Sequence, residues 1–250
     1  MVNKMFSIVI PTYKRDEDLQ ECLESIRANT KLPVEILVLH GGFESTEKIC
    51  KKYDAISMLD NARKDGKRVK GLWAIINEGI KAAKFGYVMY LNDDCLVLPD
   101  WDKNAARYFE EDSNLGLLVL KTKGIGQNPS FRIAEGGYGF PCANYAIINK
   151  KIGFLFDEHY DWFYGDADLP LQIAYASEYN IKCTEENMVI HNHKIDENRK
   201  EHEDGKEVFD PDFKYYEDKW RYFKRKGDKL VRKTAIIRIL SKVRLLCQYR

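Results

Sequence analysis

Two spacings of apolar residues alternate along the first half of the chain. Phe6–Ile10 is a short run rich in β-branched residues that ends at Pro11, the pattern of a strand buried on both faces. From Asp16 onward, Leu19, Cys22, Leu23 and Ile26 recur at helical spacing behind an acidic first turn of Asp16, Glu17 and Asp18, which suits the positive end of the helix dipole. Val34–Leu39 predicts a second strand closed by Gly41 and Gly42, Ala55–Leu59 a short third, and Tyr87–Leu91 a fourth that breaks into Asn92, Asp93 and Asp94. Between the last two, Leu72–Lys84 is helical, with Ile75, Ile76, Gly79, Ile80 and Ala83 on its inner side. Strands alternating with helices of this length imply right-handed crossovers and an α/β fold with a mostly parallel sheet. Beyond residue 115 the pattern loosens into strands at Leu115–Leu120 and Asn144–Ile148, a glycine-rich stretch, and an aromatic loop at Phe154–Tyr164 where an acceptor site could be built.

In open α/β sheets ligands bind outside the carboxyl ends of the strands, because the loops there are free to carry polar groups. Three polar clusters fall at such ends: Pro11 to Arg15, His40 to Gly42, and Asn92 to Asp94. Two adjacent carboxylates on one loop repel each other unless a cation or water relieves them, and hard divalent cations take oxygen ligands. Asp93 and Asp94 therefore read either as metal ligands or as an ordinary turn before a helix near Asp100. No glycine-rich dinucleotide fingerprint and no P-loop is present, which argues against nicotinamide and ATPase chemistry.

Composition narrows the partners. With 40 basic and 39 acidic residues the net charge is +1, so no global field points to nucleic acid. Six cysteines are scattered singly without a C-x-x-C pair, which fits a reduced, cytoplasmic setting. No apolar run approaches the ~20 residues needed to span a bilayer.

The motifs resemble the family 2 glycosyltransferases of GT-A fold. Ser7 to Arg15 resembles that family's opening strand and base-binding loop, Asn77-Glu-Gly-Ile80 its asparagine-containing helix, and Asn92-Asp93-Asp94 its metal-binding motif. Phe156-Asp-Glu158 followed by Gly165-Asp-Ala-Asp-Leu169 resembles the acceptor-side signature, and the likeness spans about residues 6–193. It implies a metal-dependent inverting transferase that moves a sugar from a nucleotide-diphosphate sugar, a UDP-sugar favoured, to a hydroxyl of a glycan or lipid-linked acceptor. It also implies a cofactor, Mn or Mg. Asp94 and Asp93 would hold the metal together with His191 or His193, and Asp166 would be the general base. Pro11, Thr12, Tyr13, Arg15, His40, Asn77 and Asp93 would bind nucleotide, with Arg68 or Lys70 near the diphosphate. Trp162, Tyr160 and Asp168 would meet the acceptor. Two positions depart from the family: His40 and Gly41 stand where base-reading aspartates are common, and Gly165 stands where an acidic residue usually precedes the catalytic aspartate. The first departure is the best argument for the alternative, an inactive nucleotide-sugar-binding or scaffold protein.

Plainer roles compete for several of these residues. Asp166 and Asp168 could cap a helix at Leu169–Ser177, and Trp162 and Tyr160 could pack a core rather than stack on a sugar. Residues 1–208 are expected to form the GT-A domain, with a donor half at 1–98 and an acceptor half at 99–208, followed by a helical extension at 209–250. In that extension Asp210 and Pro211 predict a helix start, and Phe213, Tyr216, Trp220 and Phe223 recur on one face. After Lys229, Ile236, Ile239, Leu240, Val243, Leu246 and Cys247 share a helical face flanked by basic residues. That segment reads equally as an in-plane membrane helix or as one docked on its own domain or on a second subunit.

Overall fold

The computed structural model describes residues 5–64, 67–124, 131–132, 137–192 and 206–233. Strands β1 (Phe6–Thr12), β2 (Val34–His40) and β3 (Ile56–Leu59) alternate with helices α1 (Asp16–Asn29) and α2 (Glu44–Lys52). A small hairpin of β4 (Arg63–Lys64) and β5 (Lys67–Arg68) leads to α3 (Leu72–Ala82), β6 (Tyr87–Tyr90), β7 (Cys95–Val97) and α4 (Trp101–Glu111). The remainder comprises β8 (Leu115–Gly124), β9 (Phe131–Arg132), β10 (Ala146–Asn149), α5 (Gly165–Ala176), β11 (Asn180–His191), α6 (Lys206–Trp220), β12 (Phe223–Lys226) and β13 (Lys229–Arg232).

One sheet carries the order β3-β2-β1-β6-β10-β8-β11-β7, with β9 pairing β8. The first four strands are parallel, as the strand–helix alternation requires, whereas β10 runs antiparallel to both neighbours and β7 runs antiparallel to β11. Side chains of β1 alternate between the two faces: Ile8 and Ile10 join the core under α1 and α4, and Val9 joins the core under α3 and α5. Helix α3 lies so close to the sheet that a Cβ on Gly79 would sit 2.4 Å from Val9. Only glycine fits there.

The C-terminal elements belong to the second of these cores. Tyr216, Trp220, Phe223 and Leu230 pack in one cluster with Tyr160, Leu169 and Ile173. Helix α6 starts at Lys206, before the expected Asp210, and holds Pro211 within it; Lys229–Arg232 is the return strand of a hairpin. The amphipathic face from Ile236 to Cys247 lies outside the described residues. Among the described residues no helix is long and apolar enough to cross a membrane, and Cys22, Cys50, Cys95, Cys142 and Cys183 are free thiols.

Candidate active site

Parallel topology delivers the loops after β1 and β6 to one edge, and a cleft of about 420 Å³ opens there. Its lining includes Pro11 and Thr12 from the end of β1, Tyr13 and Arg15 from the loop after it, Asp93 and Asp94 from the second loop, and Arg68, Trp162, Asp166 and His191 from elsewhere. Ten of the expected site residues therefore converge, although they are spread over 180 positions of sequence.

Asp93 and Asp94 are both buried, and their charge is met by fixed partners. The Arg15 guanidinium donates to Asp93 Oδ1 at 2.8 Å and to Asp94 Oδ2 at 3.3 Å, while the Thr12 hydroxyl donates to Asp93 Oδ2 at 2.7 Å. Burial, with the charge of Asp94 added, pushes Asp93 up to about 7 against the opposing pull of Arg15 and Thr12. Burial acts on Asp94 too, but the hydrogen bond and charge of His191, together with Arg15, outweigh it and hold that carboxyl below the usual range. One anion of the pair is thus kept by construction.

Asp94 and His191 suit a divalent cation. His191 Nε2 lies 3.2 Å from Asp94 Oδ1, and together with Cys95 Sγ the three candidate ligand atoms fall within 4.8 Å of one another. Burial, with Asp94 beside it, pushes the Cys95 thiol well up, and of the three donors the carboxylate and the imidazole are the ones that hard ions accept. Tyr145 Oη sits 3.1 Å from His191 Nδ1 and accepts from the Asn92 side-chain amide at 3.1 Å, supplying the outer contact that commonly orients a ligating imidazole. His193 lies outside the described residues.

Asp166 occupies the first turn of α5. Pro170, four residues on, lacks the N–H that would bond the Asp166 carbonyl, and Ala143 N–H donates to that carbonyl instead at 2.7 Å. This ties Asp166 to the segment holding Asn144, whose side-chain amide favours the ionised form of the Asp166 carboxylate. Burial pushes Asp166 up to about 6, against the opposing effect of the Asn144 amide and backbone hydrogen bonds. A carboxylate of this strength is a better proton acceptor than an ordinary one and is still ionised at neutral pH. The position before it must be glycine, since a Cβ on Gly165 would lie 2.4 Å from the Trp73 indole. The missing acidic residue is therefore a packing consequence.

Five expected contacts fall elsewhere. His40 is buried at the end of β2 and does not line the cleft; Gly42 N–H donates to its Nδ1 at 3.1 Å, so Nε2 carries the proton and donates to Ser57 Oγ at 2.7 Å. Asn77 is a brace under the 156–158 segment: its amide donates to the Phe156 carbonyl and to Glu158, and its carbonyl oxygen accepts from Phe156 N–H. Asp168 and Tyr160 are fully buried rather than open to an acceptor. Asp168 accepts from Tyr160 Oη, Gln172, Lys219 and Trp220, so it anchors α6. Nor does Lys70 line the cleft: it pairs with Glu78 and donates to the Asp60 carbonyl at 3.3 Å.

Cleft residues not anticipated from sequence include Asp60, Trp73, Asn144, Tyr145 and Tyr164. Asp60 follows β3 at a strand's carboxyl end, so the rule that found Thr12 and Asp93 could have found it. One of its oxygens accepts from Ala62 N–H at 2.8 Å. Asn144 and Tyr145 precede an antiparallel strand and carried no local signal.

The family model for glycosyl transferase family 2 matches residues 7–165. EpsH of Bacillus subtilis (strain 168), described as a candidate glycosyltransferase, is 26% identical over 161 residues, covering 62% of this chain and 46% of its own length. Among solved structures, S. aureus TarS 1–349 in complex with UDP-GlcNAc aligns with a TM-score of 0.58 at 16% identity, over 78% of this chain and 60% of that one. GalNAc-T7 with UDP, GalNAc and Mn2+ aligns with a TM-score of 0.61 at 14% identity, over 78% of this chain and 45% of that one. At such identities the likeness is one of fold, here the GT-A fold. The chain spans less than half the length of EpsH and about six-tenths of TarS 1–349.

Proposed function

The chain belongs to glycosyl transferase family 2, and on that premise we propose that it moves a sugar from a nucleotide-diphosphate sugar to an acceptor hydroxyl with inversion at the anomeric carbon. The observation that carries this reading is the shared cleft, which holds Asp93, Asp94 and His191 together with Asp166. Asp94 and His191 would hold a divalent cation, Mn or Mg, with Asp93 beside them. Such a cation supplies neutralisation of the departing diphosphate.

The remaining steps fall to the chain's own side chains. Thr12, Tyr13 and Arg15 bind the nucleotide portion, and Arg68 stands over the Trp162 ring at 5.5 Å, where both can bound the sugar end. Asp166 accepts the proton of the acceptor hydroxyl as its oxygen attacks the anomeric carbon and the bond to the diphosphate oxygen breaks. Asn144 keeps that carboxylate aimed. With His40 turned inward, Asp60 is the carboxylate available to accept a base N–H, which suits uracil or guanine and disfavours adenine and cytosine at their ring nitrogens. We favour a UDP-sugar, with a glycan or lipid-linked hydroxyl as acceptor.

A calorimetric panel of UDP, GDP, ADP and CDP, each with and without Mn2+, tests the donor side. Mn2+-dependent binding of UDP that is lost in Asp94→Ala is expected. Binding of every nucleotide without metal, unchanged in the variant, would contradict the site.

A further inference from the structure

Asp212 lies in α6, beyond the residues matched by the family model, yet its carboxylate reaches the acceptor-side loop. Three consecutive backbone amides converge on it: Asp161 N–H donates to Oδ1 at 2.9 Å, and Trp162 and Phe163 N–H donate to Oδ2 at 2.9 and 2.8 Å. Successive amides turned to one side form a concavity that favours an anion, and here the anion is a side chain 3% exposed. The same loop is gripped from the other side. Asp161 carbonyl accepts from Leu72 N–H at 2.8 Å, the Asp161 carboxylate pairs with Arg68, and a Cβ on Gly71 would sit 2.7 Å from the Asp161 carbonyl oxygen.

The loop's next residues are the ones the chemistry needs. Trp162 and Tyr164 line the cleft, Tyr164 is held at φ 63°, in the left-handed region that a residue with a side chain seldom occupies, and α5 starts immediately after it. Asp168 N–H bonds back to the Tyr164 carbonyl, and the Asp168 side chain is fixed by Lys219 and Trp220, again from α6. Asp166 is thus bracketed on both sides by contacts from one helix.

We infer that Asp212 is a positioning residue: by gathering the amides of residues 161–163 it fixes the turn through Tyr164 and thereby the placement of the Asp166 carboxylate. Helix α6 is on this reading part of the catalytic apparatus and not an appendage. The chemistry requires a carboxylate at 212, because three donors meet two oxygens. An amide would present its own N–H groups to one or more of them. The inference rests on the assignment of Asp166 as base, but the loop's dependence on Asp212 can be tested without turnover.

Asp212→Ala and Asp212→Asn are compared with the wild type in the full chain by hydrogen exchange, UDP–Mn2+ calorimetry and steady-state kinetics. In Asp212→Ala the amides of 161–163 are expected to exchange faster while those of β1 and β6 keep their protection. The dissociation constant for UDP with Mn2+, which carries no sugar, stays within about twofold. Turnover falls about 100-fold, the loss associated with a displacement of roughly 1 Å at a reacting group, and Asp212→Asn falls between. Unchanged exchange at 161–163, or wild-type turnover in folded Asp212→Ala, overturns the inference, as does joint loss of donor binding and turnover. If Asp212→Ala fails to give a cooperative melt, Asp212→Asn carries the same comparison. Full activity in Asp166→Asn would remove the base assignment while leaving the exchange result to decide the role of Asp212 in the loop.

Discussion

Replacing Asp168 by Asn tests whether that carboxylate is an acceptor contact or the anchor of α6. It is fully buried and takes hydrogen bonds from Tyr160 Oη at 3.0 Å, Gln172 Nε2 at 2.6 Å, Lys219 Nζ at 2.9 Å and Trp220 Nε1 at 2.7 Å. Asn at 168 presents an N–H group where only donors point, and it leaves Lys219 without one of its two anions. Breaking a buried ion pair from one side costs ~3–5 kcal/mol. The Lys219 side chain is 24% exposed and keeps Asp157 at 2.6 Å, which places the loss at the lower end, ~3 kcal/mol. For a chain of 250 residues that corresponds to a fall of roughly 6–12 °C in Tm. Differential scanning calorimetry at pH 7 reads the melt, and UDP–Mn2+ titration checks that the donor site is intact. A loss under about 1 kcal/mol, well below the cost of an unpaired buried charge, accompanied by a raised acceptor KM, would refute the anchor and restore an acceptor role.

Three other outcomes follow from the site. Burial pushes Asp166 up to about 6, so turnover should fall as pH drops through about 6 and the base takes up its proton. Asn144→Ala removes a side-chain amide that favours the ionised carboxylate, and so should move that acidic limb to higher pH; a limb that stays put or moves down contradicts the influence of Asn144. Tyr145→Phe removes the hydroxyl beside His191 and should weaken Mn2+ affinity ~10–100-fold, the usual cost of losing an outer-sphere partner, as read by direct titration with the ion. Unchanged affinity would detach Tyr145 from the metal site.

Much of the fold was legible because strand ends and helical stripes are local signals. Thr12, Asp93 and Asp94 were located by one rule: polar residues directly after buried strands collect at the sheet edge. Residues fixed by distant partners were not. The ring of His40 satisfies Gly42 N–H and Ser57, and Asn77 satisfies the backbone of Phe156, neither of which sequence spacing reveals. The roles of Asp166 and Asp168 turned on where α5 begins. A start at Leu169 leaves both in a loop, whereas the start at Gly165 places them two helical positions apart, ~200° around the axis. Asp166 consequently meets the cleft and Asp168 meets α6. Asp212 sat in a segment whose pattern spoke only of a helix and an aromatic face.

The most direct test of the two-part cleft is Asp166→Asn followed by paired measurement of UDP–Mn2+ affinity and turnover. Affinity within twofold of wild type, with turnover lower by ~10²–10⁴, is expected for a lost general base. An Asn variant that turns over at the wild-type rate would contradict the assignment, and so would one that no longer binds the nucleotide.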